Sequence, residues 1–541
     1  MKMIRKYLVS IFIVMMTVSV FAQAASDSQI ELPDLTTVVT GENSEEFAPA
    51  PDFTDVLNMP YDSGDLAPVL PAAAVENDGI VSSPVDEYQN KDIYAEGKIG
   101  GGYPATFEGN FEISRLYGAD PFRIAFNHES TGGYAGHNLA DGYNNNDTSI
   151  ELQKDFIRKN LKWGFGGSYE DLGKGFQGKT ESVSSNNQDS VGLFFNLLWS
   201  MPKNFQLSFN VDSEFYYRFA QITYNKSQAN PVPDWIKNTS RVSAEPELKF
   251  SWINNGFDIS LGSVYSLEAW NKVSNRGEFD FAFSWKNDSV KLFTDVGLVV
   301  GNTLGENKLT VPFTAGLNAY LPVYFSDRKL NLSLAGGLES QRFTTSELEK
   351  KYAFSGLTQL PSEASDWFAD FELLVPLKTS FTGTVAAGYK KTAFNNGIFT
   401  PDYVKESFDN GLYTYTQKDR EELFTDFAFT WKYKLFAVTA GYRSNWMDVP
   451  VLENKHTISV DFTLQSSKGK WGTTLGTSYL LDAKDNKPKI NLEGYVQASS
   501  AVRIVLSVND MLKLLGAEER VYKGQYISNS GNAVLLVKFL F

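Results

Sequence analysis

The stretch Gln206-Leu207-Ser208-Phe209-Asn210-Val211 alternates polar and apolar side chains without a break. The same two-residue period recurs in many segments between residues 92 and 541. Because successive side chains of a β-strand point to opposite faces, each segment predicts a strand with one apolar and one polar face. Transmembrane β-barrels have this pattern, with apolar side chains toward lipid, and water-soluble β-sandwiches have it too. The pattern therefore predicts an all-β fold, and other features must separate the two architectures.

The connections between the predicted strands form two sets that alternate along the chain. The first set is short and rich in turn residues: 118–121, 158–160, 201–203, 254–256, 286–289, 326–328, 377–379, 433–434 and 467–469. The second set is long and polar: 128–148, 171–187, 223–240, 345–365, 395–418 and 510–530. Short periplasmic turns opposite long outer loops are typical of outer-membrane barrels, whereas a sandwich has no reason to sort its loops by end. The first hairpin, at Gly101–Ala105, is an exception because it is short where a long loop is due.

Counting the segments predicts an antiparallel up-and-down transmembrane barrel of about 22 strands, within a range of roughly 20 to 24. The clearest hairpin places Phe279, Phe281 and Phe283 on one strand and Leu292 and Val296 on the next. Strands of about ten residues can cross the apolar layer of a membrane when tilted.

Tryptophan positions support a membrane location. Six lie close to the predicted short turns, and three more lie at the long-loop ends: Trp163, Trp199, Trp252, Trp285, Trp431 and Trp471, then Trp270, Trp367 and Trp446. Indole rings collect at membrane interfaces, so this distribution predicts two aromatic girdles. The alternative is that tryptophan simply favours strands.

The N-terminus predicts export. Basic residues precede an apolar run from Leu8 to Phe21, and Ala22-Gln23-Ala24 matches a secretory cleavage site, so residues 1–24 are predicted to be a signal peptide. The chain has no cysteine, which excludes a lipoprotein anchor, disulfides and thiolate metal sites. We therefore expect localisation to the outer membrane of a Gram-negative envelope, with membrane lipid and the barrel-assembly machinery as partners.

Charge divides the mature chain into two parts. The whole sequence has 49 basic and 64 acidic residues, a net charge of −15 that disfavours nucleic-acid binding. Residues 25–90 contain 14 of the acids and no Lys or Arg, and they include seven prolines. This composition predicts a disordered acidic periplasmic segment over 25–90 that could bind a periplasmic protein, followed by the barrel over 91–541.

The C-terminal part of the chain resembles the barrels of TonB-dependent receptors. The resemblance rests on the strand number, the Val508-Asn509 pair, the long segment through Tyr522 and the closing strand Gly531–Phe541. The alternating residues Val537, Phe539 and Phe541 resemble the C-terminal signal read by barrel-assembly machinery. A second similarity, to the segment with which such receptors bind an energy-transducing periplasmic protein by strand addition, lies in Asp34, Leu35, Thr36, Thr37, Val38, Val39 and Thr40. The resemblance departs from the family at 25–90, which is too short and proline-rich for the globular plug that fills such barrels.

Three classes of function are compatible with this barrel. The first is a plugless transporter or channel gated by the N-terminal segment, by loops or by a periplasmic partner, and this is the function we favour. The alternatives are a passive porin and a structural or adhesin barrel that displays its long loops. Planar-bilayer conductance distinguishes them, because a gated pore opens only when its closing element is removed.

Enzymatic activity is not expected. The histidines available for acid–base catalysis are His128, His137 and His456, all in or beside predicted outer loops, where solvated side chains are the simpler interpretation. The oxygen-rich stretch Asp141–Asp147 lacks the glycine spacing of a calcium loop, and we assign no metal site and no cofactor. Gly100–Gly102 is more consistent with close backbone packing than with a phosphate-binding loop.

Overall fold

The computed structural model describes residues 93–541, apart from 116–117, 119, 181–182, 223–233, 271, 304–305, 324–325, 379, 395–396, 482–486, 523 and 541. The signal peptide and the acidic segment lie outside the described residues, so the domain boundaries remain predictions.

The described residues form a closed antiparallel barrel of 22 strands, in which the last strand pairs with the first. The predicted architecture and strand number are confirmed. With strands numbered in chain order, the barrel consists of β1 (Tyr94–Tyr103), β2 (Thr106–Arg115), β3 (Phe122–Gly132), β4 (Asn144–Arg158), β5 (Leu161–Gly175), β6 (Val183–Met201), β7 (Phe205–Ile222), β8 (Asn238–Asn254), β9 (Phe257–Ala269), β10 (Val273–Lys286), β11 (Val290–Thr303), β13 (Phe313–Val323), β14 (Ser326–Gln341), β16 (Ala364–Lys378), β17 (Phe381–Thr392), β21 (Glu421–Tyr433), β22 (Phe436–Asn445), β23 (His456–Gln465), β24 (Trp471–Leu480), β25 (Lys489–Gln497), β26 (Val502–Asn509) and β27 (Asn532–Leu540).

Short elements lie in the connections between the barrel strands. The strands among them are β12 (Glu306–Thr310), β15 (Ser355–Gly356), β18 (Ile398–Pro401), β19 (Phe408–Asp409) and β20 (Leu412–Lys418). The α-helices are α1 (Asp234–Lys237), α2 (Thr345–Lys351) and α3 (Met511–Leu514), and the 3₁₀ helices are Tyr134–Gly136, Leu139–Asp141, Pro202–Asn204 and Lys405–Ser407. Within the described ranges, every helix is too short or too polar to cross a bilayer.

The two faces of the wall differ as the alternation predicts. Phe279 on β10 lies opposite Leu298 on β11, and Phe281 lies opposite Val296, all on the outer surface. Phe279 is 59% exposed and Leu261 is 58% exposed, values unusual for large apolar side chains in water. The contiguous apolar outer surface identifies the lipid-facing side of the barrel.

The predicted short turns lie together at one end of the barrel. Asn255 and Gly256, which join β8 to β9, both have positive φ, as two-residue hairpin turns require. A further short connection at this end, 498–501 between β25 and β26, was not predicted. The short first hairpin is also confirmed, since Pro104 and Ala105 alone join β1 to β2 at the opposite end.

The long-loop boundaries were predicted less well. The stretch 128–148 was expected to be one loop, yet β3 continues to Gly132 and β4 begins at Asn144. Likewise β6 begins at Val183, inside the predicted loop 171–187. These strand ends are rich in Asn, Asp and Ser, which resemble loop residues in composition, while their backbones remain in the hydrogen-bonded ladder. The four connections 270–272, 304–312, 446–455 and 481–488 at the same end were also not predicted.

The tryptophans near the short turns follow the lipid-facing surface. Trp163 lies opposite Phe156 and stacks on it with ring centroids 4.1 Å apart. Trp199 and Trp431 are 46% and 43% exposed on the same surface. This arrangement matches the aromatic girdle expected at one membrane interface.

The glycines of β1 allow close packing where the barrel closes. A Cβ atom at Gly100 would collide with the backbone of Leu535 and Leu536, and one at Gly102 with the backbone of Ala533 on β27. The prediction of close backbone packing at Gly100–Gly102 is therefore confirmed.

Candidate functional site

The connection 342–363, between β14 and β16, extends into the barrel rather than away from it. Its helix α2 begins with a capping box, in which the Thr344 side chain accepts a hydrogen bond from the Glu347 amide and the Glu347 carboxylate accepts one from the Thr344 amide. The other face of α2 contacts lumen-facing residues of β5, β6, β7 and β9. The helix therefore lies inside the lumen, against this part of the wall.

Glu349 is the most deeply buried contact between α2 and the wall. Its carboxylate accepts hydrogen bonds from the Tyr216 hydroxyl at 2.6 Å and from Arg218 Nε at 2.8 Å, both on β7. It also accepts one from the Leu357 amide at 2.6 Å, which fixes the chain after the helix. The side chains of Glu349 and Arg218 are both 0% exposed. A buried ion pair of this kind is strongly sensitive to the loss of either member, because the remaining charge is left uncompensated.

Further polar contacts join α2 to the wall on either side of Glu349. Lys350 Nζ lies 2.6 Å from a carboxylate oxygen of Glu170 on β5 and 3.0 Å from one of Glu214 on β7. The Thr345 amide donates to Glu268 on β9 at 3.0 Å. We call this set, with the Glu349 contacts, the wall anchor. Since it involves several strands at once, α2 cannot leave one part of the wall while keeping its contacts with the rest.

The outer connections pack on one another above α2. Phe354 stacks on Tyr526 with ring centroids 3.7 Å apart, and the Tyr526 hydroxyl donates to the Gly411 carbonyl at 2.5 Å. Gln177 donates to the Tyr134 hydroxyl at 2.8 Å and to the Ile527 carbonyl at 2.9 Å. The contacts join the described residues of five connections, which we call the loop cap: 133–143, 176–182, 342–363, 393–420 and 510–531.

The loop cap has an apolar core of its own. Its buried members are Phe176, Ala353, Phe354, Leu412, Tyr413 and Tyr526, and they pack together with buried Val183 of β6, Ala220 of β7 and Ile236 of α1. Fully burying one such large side chain contributes about 1.5–3 kcal/mol. Solvated, independent loops would not bury side chains in this way, so the cap is a packed structural unit at the outer end of the lumen.

Two tyrosines of the cap have strongly altered acidity. Burial raises the pKa of Tyr134 to about 12, although the hydrogen bond with Gln177 acts in the opposite direction. Burial likewise raises the pKa of Tyr403 to about 12. Ionising either phenol therefore opposes the packed cap.

A cavity of about 380 Å³ lies between α2 and the wall. Side chains of both signs of charge line it, namely Asp212, Glu214 and Glu245 together with Arg276, Arg342 and Lys350. A space of this volume can hold several water molecules between α2 and the wall.

No family model and no curated protein sequence matches this chain. Solved structures do match it in fold. The FrpB iron transporter from Neisseria meningitidis (F5-1 variant) superposes with a TM-score of 0.61 at 7% identity, covering 84% of this chain and 83% of FrpB. The copper transporter OprC superposes with a TM-score of 0.62 at 11% identity, covering 83% of this chain and 80% of OprC. The ferric-catecholate import receptor Fiu from E. coli K12 superposes with a TM-score of 0.57 at 10% identity, covering 83% of this chain and 82% of Fiu.

The fold is that of a TonB-dependent receptor barrel. Its 22 strands and lipid-facing apolar surface place it in the outer membrane, as predicted. At these identities the likeness concerns the fold alone; FrpB and OprC are metal transporters and Fiu is an import receptor.

The predicted site residues of this TonB-receptor-like barrel lie away from the cap. Val537 and Phe539 are on the lipid-facing side of β27, where Val537 lies opposite Ile99 and Ile504. This orientation is compatible with an assembly signal, whose role remains a prediction. Phe541 and the segment Asp34–Thr40 lie outside the described residues, and the partner-binding role of that segment also stays a prediction.

The three histidines have local contacts. His128 lies 2.8 Å from Thr148 Oγ1 and 3.1 Å from Ser130 Oγ, and His456 lies 2.9 Å from Ser444 Oγ. His137 joins two connections of the cap, since its Nε2 lies 2.7 Å from a Glu519 carboxylate oxygen. Among the described residues, no group of three or more His, Asp or Glu side chains is arranged to hold a metal ion.

The wall anchor was missed at the sequence level. Glu349 lies in a stretch that was predicted only as a polar outer loop, and Arg218 lies near the end of a predicted strand. The one usable signal was the placement of charged residues at inward positions such as 214 and 218 on β7, because a lumen-facing charge close to the outer end calls for a counter-charge.

Proposed function

We propose that this protein is a plugless, TonB-receptor-like outer-membrane transporter whose outer opening is closed by the loop cap. The observation that carries the proposal is the wall anchor, where Glu349 of a loop helix is buried against Arg218 of the lumen wall. A helix fixed in this way obstructs the path through the barrel while remaining attached by polar contacts that can exchange for water. The similarity in fold to FrpB, an iron transporter, and to OprC, a copper transporter, supports transport as the general task.

Opening requires displacement of the cap. The segment Asp34–Thr40 is proposed to bind a periplasmic energy-transducing protein by strand addition, which would give the cell a means of driving that displacement. The acidic segment 25–90 is proposed to bind a periplasmic protein or to contribute to gating, and the barrel-assembly machinery is proposed to read the C-terminal strand.

Solute entry into proteoliposomes tests the proposal. We expect the wild-type protein to be nearly impermeant, and a variant in which residues 343–363 are replaced by a Gly-Ser linker to admit small sugars rapidly. Heat-modifiable mobility on SDS gels confirms that both barrels are folded. Equal, rapid entry through both proteins would support a passive porin instead. No entry through either protein would support a structural or adhesin barrel.

A further inference from the structure

The cavity between α2 and the wall is large enough for a small organic molecule. Its volume of about 380 Å³ lies within the range of about 300–1,000 Å³ that is usual for small-molecule sites. Ser346 and Lys350 of α2 line one side, and residues of neighbouring barrel strands line the other. A molecule bound in the cavity therefore contacts both the loop cap and the barrel wall.

Part of the lining carries two carboxylates side by side. Asp212 on β7 lies directly opposite Glu245 on β8, and both side chains are exposed at the cavity. The cations of the lining pair with other carboxylates: Lys350 with Glu170 and Glu214, Arg276 with Glu278 and Glu363, and Arg342 with Glu268. Like charges placed directly opposite on neighbouring strands destabilise a sheet. A positively charged group next to Asp212 and Glu245 would relieve this repulsion.

A buried arginine in the same lining has an unused hydrogen-bond donor. The side chain of Arg342 is only 6% exposed. Its Nη1 donates to the Ser266 carbonyl at 3.3 Å, and its Nη2 lies 3.6 Å from a Glu268 carboxylate oxygen. Its Nε has no hydrogen-bond partner among the described residues. Because a buried guanidinium is stabilised when its N–H groups have acceptors, Arg342 favours a further anionic group in the cavity.

One residue of β9 joins the two charged parts of the lining. The Ser266 hydroxyl donates a hydrogen bond to the Glu245 carboxylate, and the Ser266 carbonyl accepts one from Arg342. Since both charges contact the same residue, a single small molecule can reach both of them. The complementary ligand therefore carries a cation and an anion separated by a few bonds.

We propose that the cavity binds a small zwitterion of about the size of a dipeptide. The ammonium group of the ligand lies next to Asp212 and Glu245, and its carboxylate lies on the side of Arg342. A ligand that is purely cationic, purely anionic or neutral satisfies at most one of these parts. Binding stands on the cavity and its charges, and only the role of the zwitterion as a transported solute rests on the proposed function.

Calorimetric titration of the purified full-length protein in detergent with L-alanyl-L-alanine tests the site. This dipeptide carries both charges, whereas its C-terminal amide lacks the anion and its N-acetyl form lacks the cation. We expect saturable binding of the free dipeptide. Each capped form should bind about ten-fold more weakly or worse, because it loses one set of charge-assisted hydrogen bonds. The neutral disaccharide sucrose should give no saturable heat.

Substitutions in the lining supply a second test. Asp212→Asn and Arg342→Gln should each weaken dipeptide binding by about ten-fold, whereas Arg342→Lys, which keeps the charge, should weaken it less. The matched control is Asp461→Asn on β23, outside the lining, where the neighbouring Phe462 is 54% exposed on the lipid-facing side. This variant loses a lumen-facing carboxylate and should bind as wild type. Heat-modifiable gel mobility shows that each barrel is folded.

The ligand series alone can overturn the proposal, whatever the variants do. It is wrong if the free dipeptide shows no saturable binding up to about 10 mM, a concentration that fills even a site with a millimolar Kd. It is also wrong if the free dipeptide, its two capped forms and sucrose bind equally well.

The outcome is separable from that of the proposed function. If the dipeptide does not bind while replacement of residues 343–363 still opens the pore, the zwitterion site alone is wrong. If the dipeptide binds as expected while neither protein admits solute into liposomes, the site stands and the transport proposal is wrong.

Discussion

Substituting Glu349→Gln removes one charge from the centre of the wall anchor without changing the shape of the side chain. The carboxylate accepts hydrogen bonds from Tyr216, Arg218 and the Leu357 amide, and both charged side chains are 0% exposed. Removing one member of a buried ion pair costs about 3–5 kcal/mol, because the remaining charge is left uncompensated. With about 1.4 kcal/mol for each factor of ten, the ratio of open to closed cap should rise by about 10² to 10⁴.

Single-channel recording in planar bilayers measures this shift directly. We expect the wild-type protein to be mostly closed and Glu349→Gln to show long openings of high conductance. The matched control is Glu347→Gln on the exposed side of α2, which disturbs only the capping box and should cost about 1 kcal/mol or less.

A double substitution separates loss of the ion pair from general damage to the loop. Replacing both charges by apolar side chains, Arg218→Met with Glu349→Leu, removes the uncompensated charge, and such replacements are often neutral. The double variant should therefore be closed more often than Glu349→Gln. The reasoning is refuted if Glu349→Gln forms a folded barrel that conducts no more than wild type, or if Glu347→Gln conducts equally well.

Three further predictions concern other parts of the molecule. The raised pKa values of Tyr134 and Tyr403 imply that the neutral phenols stabilise the packed cap fully below pH 10, the ordinary pKa of tyrosine. This stabilisation is lost as the pH rises toward 12, by about 3 kcal/mol for each phenol. Conductance should therefore rise reversibly across this range, and Tyr134→Phe with Tyr403→Phe should abolish the rise. Gly102→Val should prevent closure of β1 on β27 and sharply lower the yield of heat-modifiable barrel. Gly101→Val, where a Cβ would lie 3.4 Å from its nearest neighbour, should lower the yield far less. Equal yields of the two variants would contradict the packing argument. Val38→Pro should abolish calorimetrically measured binding of the purified energy-transducing periplasmic protein, because proline cannot donate to a strand ladder, and unchanged affinity would argue against strand addition.

The barrel could be predicted from the sequence because its determinants are local. Alternation such as Leu207, Phe209 and Val211 repeats along every strand, and turn residues such as Asn255-Gly256 mark most of the hairpins at one end. Strand ends beyond the membrane were predicted poorly because their composition is that of loops. In β3 and β4, the backbones of residues such as Thr131 and Asn145 continue the ladder where no lipid requires apolar side chains.

The loop cap could not be predicted because its determinants are distant in sequence. Glu349 and Arg218 are 131 residues apart, and Gln177 and Ile527 are 350 apart. Each is unremarkable among its neighbours and acquires its role only when the barrel closes. The sequence did suggest that inward-folded loops could close a wide pore, but not which side chains would hold them there.

The most direct test of the capped lumen uses the absence of native cysteine. A single reporter, Ser459→Cys, lies on the lumen-facing side of β23, opposite Gly441 and Ser478. Intact cells are treated from outside with a membrane-impermeant maleimide, and Lys405→Cys in the outer connection 393–420 serves as the accessible control. The account predicts rapid labelling of the control, almost none of Ser459→Cys, and strong labelling of Ser459→Cys once Glu349→Gln is added. Labelling of Ser459→Cys as fast as the control, in the otherwise wild-type protein, would contradict it.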